Sequence, residues 1–362
     1  VALPVIAKTM YQAVTMFDSG AMRGEGISTI VVTFVNLAVL VALAVTLIVF
    51  GVRLIRNQRR WAALLSYGLY VLLLAGALCS IMLAGIGYEL IPYGVGFAVT
   101  VALQSYLDPS LLEERRAHRK AREAEEHAEG EAGTLGRDPS GKGYITLNFF
   151  NLFWIFVVAS VLGLLMEEIV HFLFVVPGQW QDRAGLLFGP FSPIYGCGAV
   201  LMTIFLNRFH KSNWLVIFLV AAVIGGAFEA FVSLFMQYAF GAVAWDYSNM
   251  PGSLFGGRTC LPFMACWGLL GVVWIKLLLP FMLRLVNLIP WNWRYVLTTA
   301  CAVLMLADAV MTLQALDCWY MRLSHDPVDT PLQQFYDHEF GDTYMADRFQ
   351  SMTIVPSDAV RG

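Results

Sequence analysis

Few side chains in this sequence carry chemistry, and most of those sit in apolar surroundings. The run Met166-Glu167-Glu168-Ile169-Val170-His171 places Glu167 and His171 four apart and Glu168 and His171 three apart. On a helix, one carboxylate would share a face with the imidazole. Glu229 follows Gly225-Gly226 inside a second apolar run, where small residues admit a close neighbouring helix. A carboxylate beside an imidazole can bind a metal, move a proton or hold a polar ligand. An E-x-x-H pair builds a di-metal bundle only with a second E-x-x-H and two further Glu on facing helices. The second motif is missing, so no metal and no cofactor is expected. Lys276 is expected to snorkel its ammonium to the headgroups. Asp308 has no partner legible in the sequence, and a helix-helix hydrogen bond fits it as well as a functional role.

The elements that must position these groups are membrane spans. The chain has 362 residues, of which 58% are hydrophobic, 14% charged and 14% aromatic, with ten Trp. Its mean hydropathy is +0.66, more apolar surface than a water-soluble domain can cover. A formal net charge of -3 gives no reason to expect nucleic acid as a partner. The six Cys lack paired spacing and read as small core residues. The start of the chain shows no basic region followed by an apolar stretch and a small-residue cleavage site, so insertion is expected to rely on the spans themselves. A short interfacial helix is one reading of that start.

With roughly 20 apolar residues per crossing, the candidates are 27–52, 61–85, 90–106, 147–174, 194–209, 214–240, 260–283 and 295–316. The expectation is an all-α polytopic helical bundle of about eight transmembrane helices, with seven or nine also compatible because the third and fifth are short. Basic residues cluster in alternate loops: Arg53, Arg56, Arg59 and Arg60; 115–122; Arg208 and Lys211; Arg284 and Arg294. The positive-inside rule makes that side cytoplasmic and puts both termini outside. Four regions are expected: a three-span front, 1–110; a charged cytoplasmic linker or helix, 111–143; a five-span core with an outer-facing polar site, 144–316; and an extracellular acidic tail, 317–362. The tail is rich in aromatics, which favours docking over disorder. Residues 136–143 nearly spell a phosphate loop, but Gly143 replaces the required Ser or Thr and no strand precedes it. A flexible linker is expected there, and no ATP-hydrolysing engine within the chain.

Two outer-side segments are more specific than any spacing. One is Asp182-Arg183-Ala184-Gly185-Leu186-Leu187-Phe188-Gly189-Pro190-Phe191-Ser192-Pro193-Ile194-Tyr195-Gly196; the other is Trp245-Asp246-Tyr247-Ser248 followed by Gly257-Arg258. With a Glu in the preceding span and Glu229, this order resembles the bacterial membrane-protein family described as ABC-transporter type IV permeases, over about 150–285. The resemblance implies a membrane subunit of a transporter driven by a separate ATP-binding subunit.

The Gly-Pro and Pro-Ile-Tyr-Gly run reads as a broken or re-entrant entrance to the fifth span. Such backbone is tolerable at membrane depth only when buried in protein or lining a cavity. Arg183, Tyr195, Trp245, Asp246, Tyr247 and Arg258 would then surround an outer-leaflet pocket floored by Glu167, Glu168 and Glu229, with His171 a further candidate binding residue. Aromatic residues and Arg at span ends are also ordinary interfacial anchors, but three successive loops above intramembrane Glu point to a site. The leading expectation is a permease-like subunit of the cell membrane that binds a small amphiphilic or cationic molecule. Its ATPase would dock on the segment from Glu113 to Arg122 and the turn from Asn287 to Arg294. The alternatives are a membrane-embedded enzyme acting on a lipid or isoprenoid through Glu, Tyr and Arg, and an accessory subunit of a larger assembly with other membrane subunits.

Overall fold

The computed structural model describes residues 26–107, 136–138, 141–289 and 291–361. The expected interfacial start and the charged helix near 113–131 lie outside the described residues. The chain is mostly helical. Among the described residues, six helices are long and apolar enough to cross a membrane: Ile27–Ile55, Leu64–Ala84, Phe149–Val175, Trp214–Phe240, Leu261–Val286 and Val296–Ser324. Helices also stand at the third and fifth expected spans, but they are short, with 17 and 14 residues. At ~1.5 Å per residue, 14 residues rise about 21 Å, less than the ~30 Å of a hydrocarbon core.

The described residues form two compact units. One takes in 26–107, 237–241 and 355–361. In it α1 (Ile27–Ile55), α2 (Arg59–Ala84) and α3 (Ile91–Leu107) pack around Leu43, Phe50, Leu69 and Leu73. The segment 355–361 is tied by Val355 N–H to Gly241 O at 2.7 Å and Val360 N–H to Tyr238 O at 2.9 Å. Thr29 Oγ1 also donates to Val360 O, at 3.1 Å.

The other unit takes in 136–138, 141–236, 242–289 and 291–354. Its helices are α4 (Phe149–Val170), α5 (Pro193–Leu206), most of α6 (Trp214–Phe240), α7 (Leu261–Val273), α8 (Leu279–Val286), α9 (Trp291–Ser324), α10 (Pro331–Glu339) and α11 (Asp342–Arg348). Two π turns interrupt the regular ladder, His171–Val175 after α4 and Trp274–Leu278 between α7 and α8. Such turns recur at functional sites. Asn148 caps α4 by accepting from Asn151 N–H at 2.8 Å, and Pro193 in the first turn of α5 has the fixed φ that a helix start favours. Ile155, Leu206, Ile217 and Leu279 are fully enclosed in a core that joins α4 to α8. Two small antiparallel pairs complete the unit: β1 (Ala242–Val243) with β4 (Thr353–Ile354), and β2 (Ser253–Leu254) with β3 (Thr259–Cys260).

Where a flexible linker is expected, 136–138 and 141–148 are held in place. Asn207 Oδ1 accepts from Tyr144 and Ile145 N–H at 2.8 and 3.0 Å, and its amide returns a bond to Ile145 O at 2.9 Å. Lys276 reaches this same end, donating to His210 O at 2.6 Å. Arg294 does not extend from its turn: it is buried, with its guanidinium over the Phe150 ring at 4.3 Å.

The tail is folded. Arg322 gathers Asp337 at 3.0 Å and Asp342 at 2.6 Å, which closes α10 and α11 onto the end of α9. Tyr336, Phe340, Met345 and Phe349 are buried beneath them.

Candidate functional site

The stretch between α4 and α5 is the first thing that positions the site. Residues 183–192 form no helix or strand, yet Ala184, Leu186, Leu187 and Ser192 are buried. Buried irregular backbone must find partners for its polar groups, and here it does. Ser192 N–H donates to Ser160 O, midway along α4, at 3.1 Å, and Gly185 N–H to Phe191 O at 2.9 Å. Leu187 N–H donates to Thr312 Oγ1 at 2.9 Å and Phe188 N–H to Asp308 Oδ1 at 3.3 Å. Asp308 also accepts from the Leu187 N–H and the Thr312 hydroxyl. Its partner is therefore the loop backbone, not another side chain in a neighbouring span. On the carbonyl side, Arg348 of α11 donates to Leu186 O at 2.8 Å and Gly189 O at 2.6 Å and pairs with Asp182 at 2.8 Å. The broken entrance expected before the fifth span is present, and both α9 and the tail hold it.

The loop brings Arg183 to Glu167, Nε to Oε1 at 2.6 Å. Tyr195, in the first turn of α5, lies beside the same carboxylate. Gly163 permits this, since a Cβ there would collide with the Tyr195 side chain. Glu168 is buried and takes the Arg183 backbone N–H. The two adjacent carboxylates thus serve one loop residue by different atoms. His171 is buried, and its Nδ1 has no hydrogen-bond partner. Among the described residues, no group of three His, Cys, Asp or Glu side chains is gathered as a metal site.

A second cluster forms around Glu229, which is only 6% exposed. It accepts from Tyr247 Oη at 3.2 Å and Thr259 Oγ1 at 2.8 Å, and the Trp267 indole lies close enough to act on its charge. The Trp267 ring lies against Gly225, where a Cβ would collide with it, so the expected close approach at Gly225-Gly226 is made by an aromatic side chain of α7. Tyr247 stacks on Phe263 at 4.4 Å. Burial first, then the Glu229 charge and hydrogen bond, push its phenol above the ordinary 10.0. The clusters adjoin: Tyr247 is within electrostatic range of Glu167 and of Tyr195.

Trp245, Asp246 and Arg258 build the loop that carries Tyr247. Trp245 Nε1 donates to Arg258 O at 3.2 Å, and Arg258 Nη1 to Phe255 O at 2.9 Å. Asp246 caps the turn through Ser248 N–H at 2.8 Å and the Ser248 hydroxyl, which hold its carboxyl below the usual range. The hydroxyls that Glu229 accepts from belong to other residues, Tyr247 and Thr259.

Beneath Tyr195 lies a cavity of about 250 Å³ between α4, α5, α7 and α8. Gly163, Met166, Ala199, Met202 and Leu270 are among its apolar lining, and Tyr195 and Trp267 are its link to the polar clusters. Leu162, Met166 and Phe281 on its wall are 45%, 47% and 48% exposed, so it opens sideways where acyl chains would lie. The cavity was not legible in the sequence: Trp267 and Met202 look like any other apolar span residues. Arg348 and Thr312 were missed for the same reason, since nothing local marks them as partners of a loop far away in the chain.

No curated protein and no solved structure matches this chain. A family model described as "Putative ABC-transporter type IV" matches residues 154–313. That stretch runs from α4 into α9 and contains the irregular loop 183–192, both carboxylate clusters, the cavity and Asp308, so in its site-bearing part the chain is similar to that ABC-transporter family.

Proposed function

We propose that the protein is the membrane subunit of a transporter that takes a small amphiphilic molecule from the bilayer and depends on a separate ATPase. One observation carries the reading: an apolar cavity opens between helices, and two residues of its wall, Tyr195 and Trp267, lie beside the carboxylates Glu167 and Glu229. Such a site offers a chain-shaped apolar slot beneath polar groups, the chemistry of an amphiphile. The family match supports transport.

Binding suits these carboxylates better than acid-base catalysis. Glu229 is engaged by two hydroxyl donors and Glu167 by a cation, which leaves neither poised to take a substrate proton. The end opposite the loops carries exposed Arg137, Lys142, Arg208, Lys211, Lys276 and Arg284. By the positive-inside rule it faces the cytoplasm, and it is the docking face for the ATPase. Buried Arg294 takes no direct part in docking.

Purification of the tagged chain from its own cells tests the reading. An ATP-binding subunit should copurify, and an added amphiphile should raise its ATP hydrolysis. A chain that purifies alone, with no ATPase response in a reconstituted pair, would contradict it.

A further inference from the structure

The two carboxylates behind the cavity differ in one respect. Glu167 has a guanidinium at 2.6 Å. Glu229 has no cation against it among the described residues; its partners are a phenol and a hydroxyl, with an indole beside it. An acidic group kept at membrane depth without a counter-charge is a functional feature by default. Trp267, beside Glu229, is also part of the cavity wall. The face of Trp is the strongest aromatic partner for a cation, and a neighbouring carboxylate adds to that attraction. Tyr195 repeats the arrangement on the adjacent wall, beside Glu167. Arg183 opposes this little, because its charge is paired with Glu167.

We infer that the cavity selects an organic ammonium amphiphile, its cationic head against the Trp267 and Tyr195 rings in front of Glu229 and its chain along Ala199 and Met202. This rests on the amphiphile reading above and adds the sign of the headgroup charge. It fits a quaternary or alkylated ammonium better than a metal ion, since rings and a shielded carboxylate offer no oxygen cage.

The test uses the full chain in a neutral sugar detergent. An alkyltrimethylammonium, its uncharged isostere with carbon in place of nitrogen, and an alkyl sulfate of equal length are titrated calorimetrically. The ammonium should bind about tenfold more tightly than the isostere, roughly 1.4 kcal/mol. That preference should fall toward unity in Glu229→Gln. Equal affinity for the ammonium and its isostere, or a preference for the sulfate, would overturn the headgroup assignment while leaving the amphiphile cavity standing. Binding of none of the three would overturn both. An undiminished preference in a folded Glu229→Gln would remove Glu229 from the site. Should that variant not fold, the comparison on the native chain decides alone.

Discussion

Arg348, in the last helix of the tail, lies 2.8 Å from Asp182, 166 positions earlier in the chain. The same guanidinium holds the carbonyls of Leu186 and Gly189. A segment that enters the spans without helical hydrogen bonds therefore depends on a residue outside them. The tail is a structural part of the site, although it contributes no side chain to the cavity.

Replacing Arg348 by Ala should free that segment. Two carbonyls and one carboxylate lose their donor, at a cost of about 3 kcal/mol for a mostly buried charged donor. Hydrogen exchange of residues 182–189 should accelerate at least tenfold while α6 keeps its protection. Unchanged exchange in the loop would show that the clamp is dispensable.

Asp308 should tolerate Asn better than Ala. It accepts two backbone N–H groups and a hydroxyl; Asn keeps one carbonyl acceptor, whereas Ala leaves buried donors unpaired at about 1–3 kcal/mol each. Thermal unfolding in detergent should rank native above Asn above Ala. Equal midpoints for Asn and Ala would mean that the loop does not rely on this side chain.

Arg183 and Glu167 should be coupled. Each is mostly buried, with side-chain exposures of 22% and 26%, so Arg183→Met alone leaves a stranded carboxylate. A loss of about 2 kcal/mol is expected. Adding Glu167→Gln should recover part of it, and a double-mutant cycle reads the interaction directly. Strictly additive effects would argue that the pair is incidental.

The Tyr247 phenol should stay protonated where ordinary tyrosines ionise, because burial and Glu229 raise its pKa above 10.0. The folded form then holds a proton that the unfolded chain releases. Stability from this group is present below pH 10 and declines as pH rises above it. Tyrosinate absorbance of the native chain and of Tyr247→Phe should coincide over about pH 9 to 11. One extra phenolate in the native chain within that window would contradict the burial.

The apolar runs were legible because span length and hydropathy are local properties. Each expected crossing has a helix, six of them among the described residues long and apolar enough to span, and Gly225-Gly226 marks a close approach as anticipated. Gly189-Pro190 also announced the irregular backbone before α5, since Pro cannot donate and Gly relaxes the chain, whereas Pro193-Ile194-Tyr195-Gly196, expected to share in the break, is the helical first turn of α5. What stayed hidden is long-range. The Asp308 partner lies 120 positions away, and a backbone N–H leaves no mark in a sequence. Trp267 is part of the cavity wall and lies beside Glu229, but within an apolar run an indole reads as lipid-facing. Arg258 donates to the Phe255 carbonyl at 2.9 Å across the tight turn at Gly256-Gly257, both with positive φ, a contact that no spacing announces.

The account rests on an amphiphile occupying the hollow between α4, α5, α7 and α8. Photolabelling in membranes with an alkylammonium that carries a diazirine near its chain end tests this most directly. The predicted result is adducts on 159–166 and 198–202, suppressed by excess unlabelled amphiphile. Labelling confined to lipid-facing residues such as Val296 and Leu304, and insensitive to competitor, would contradict it.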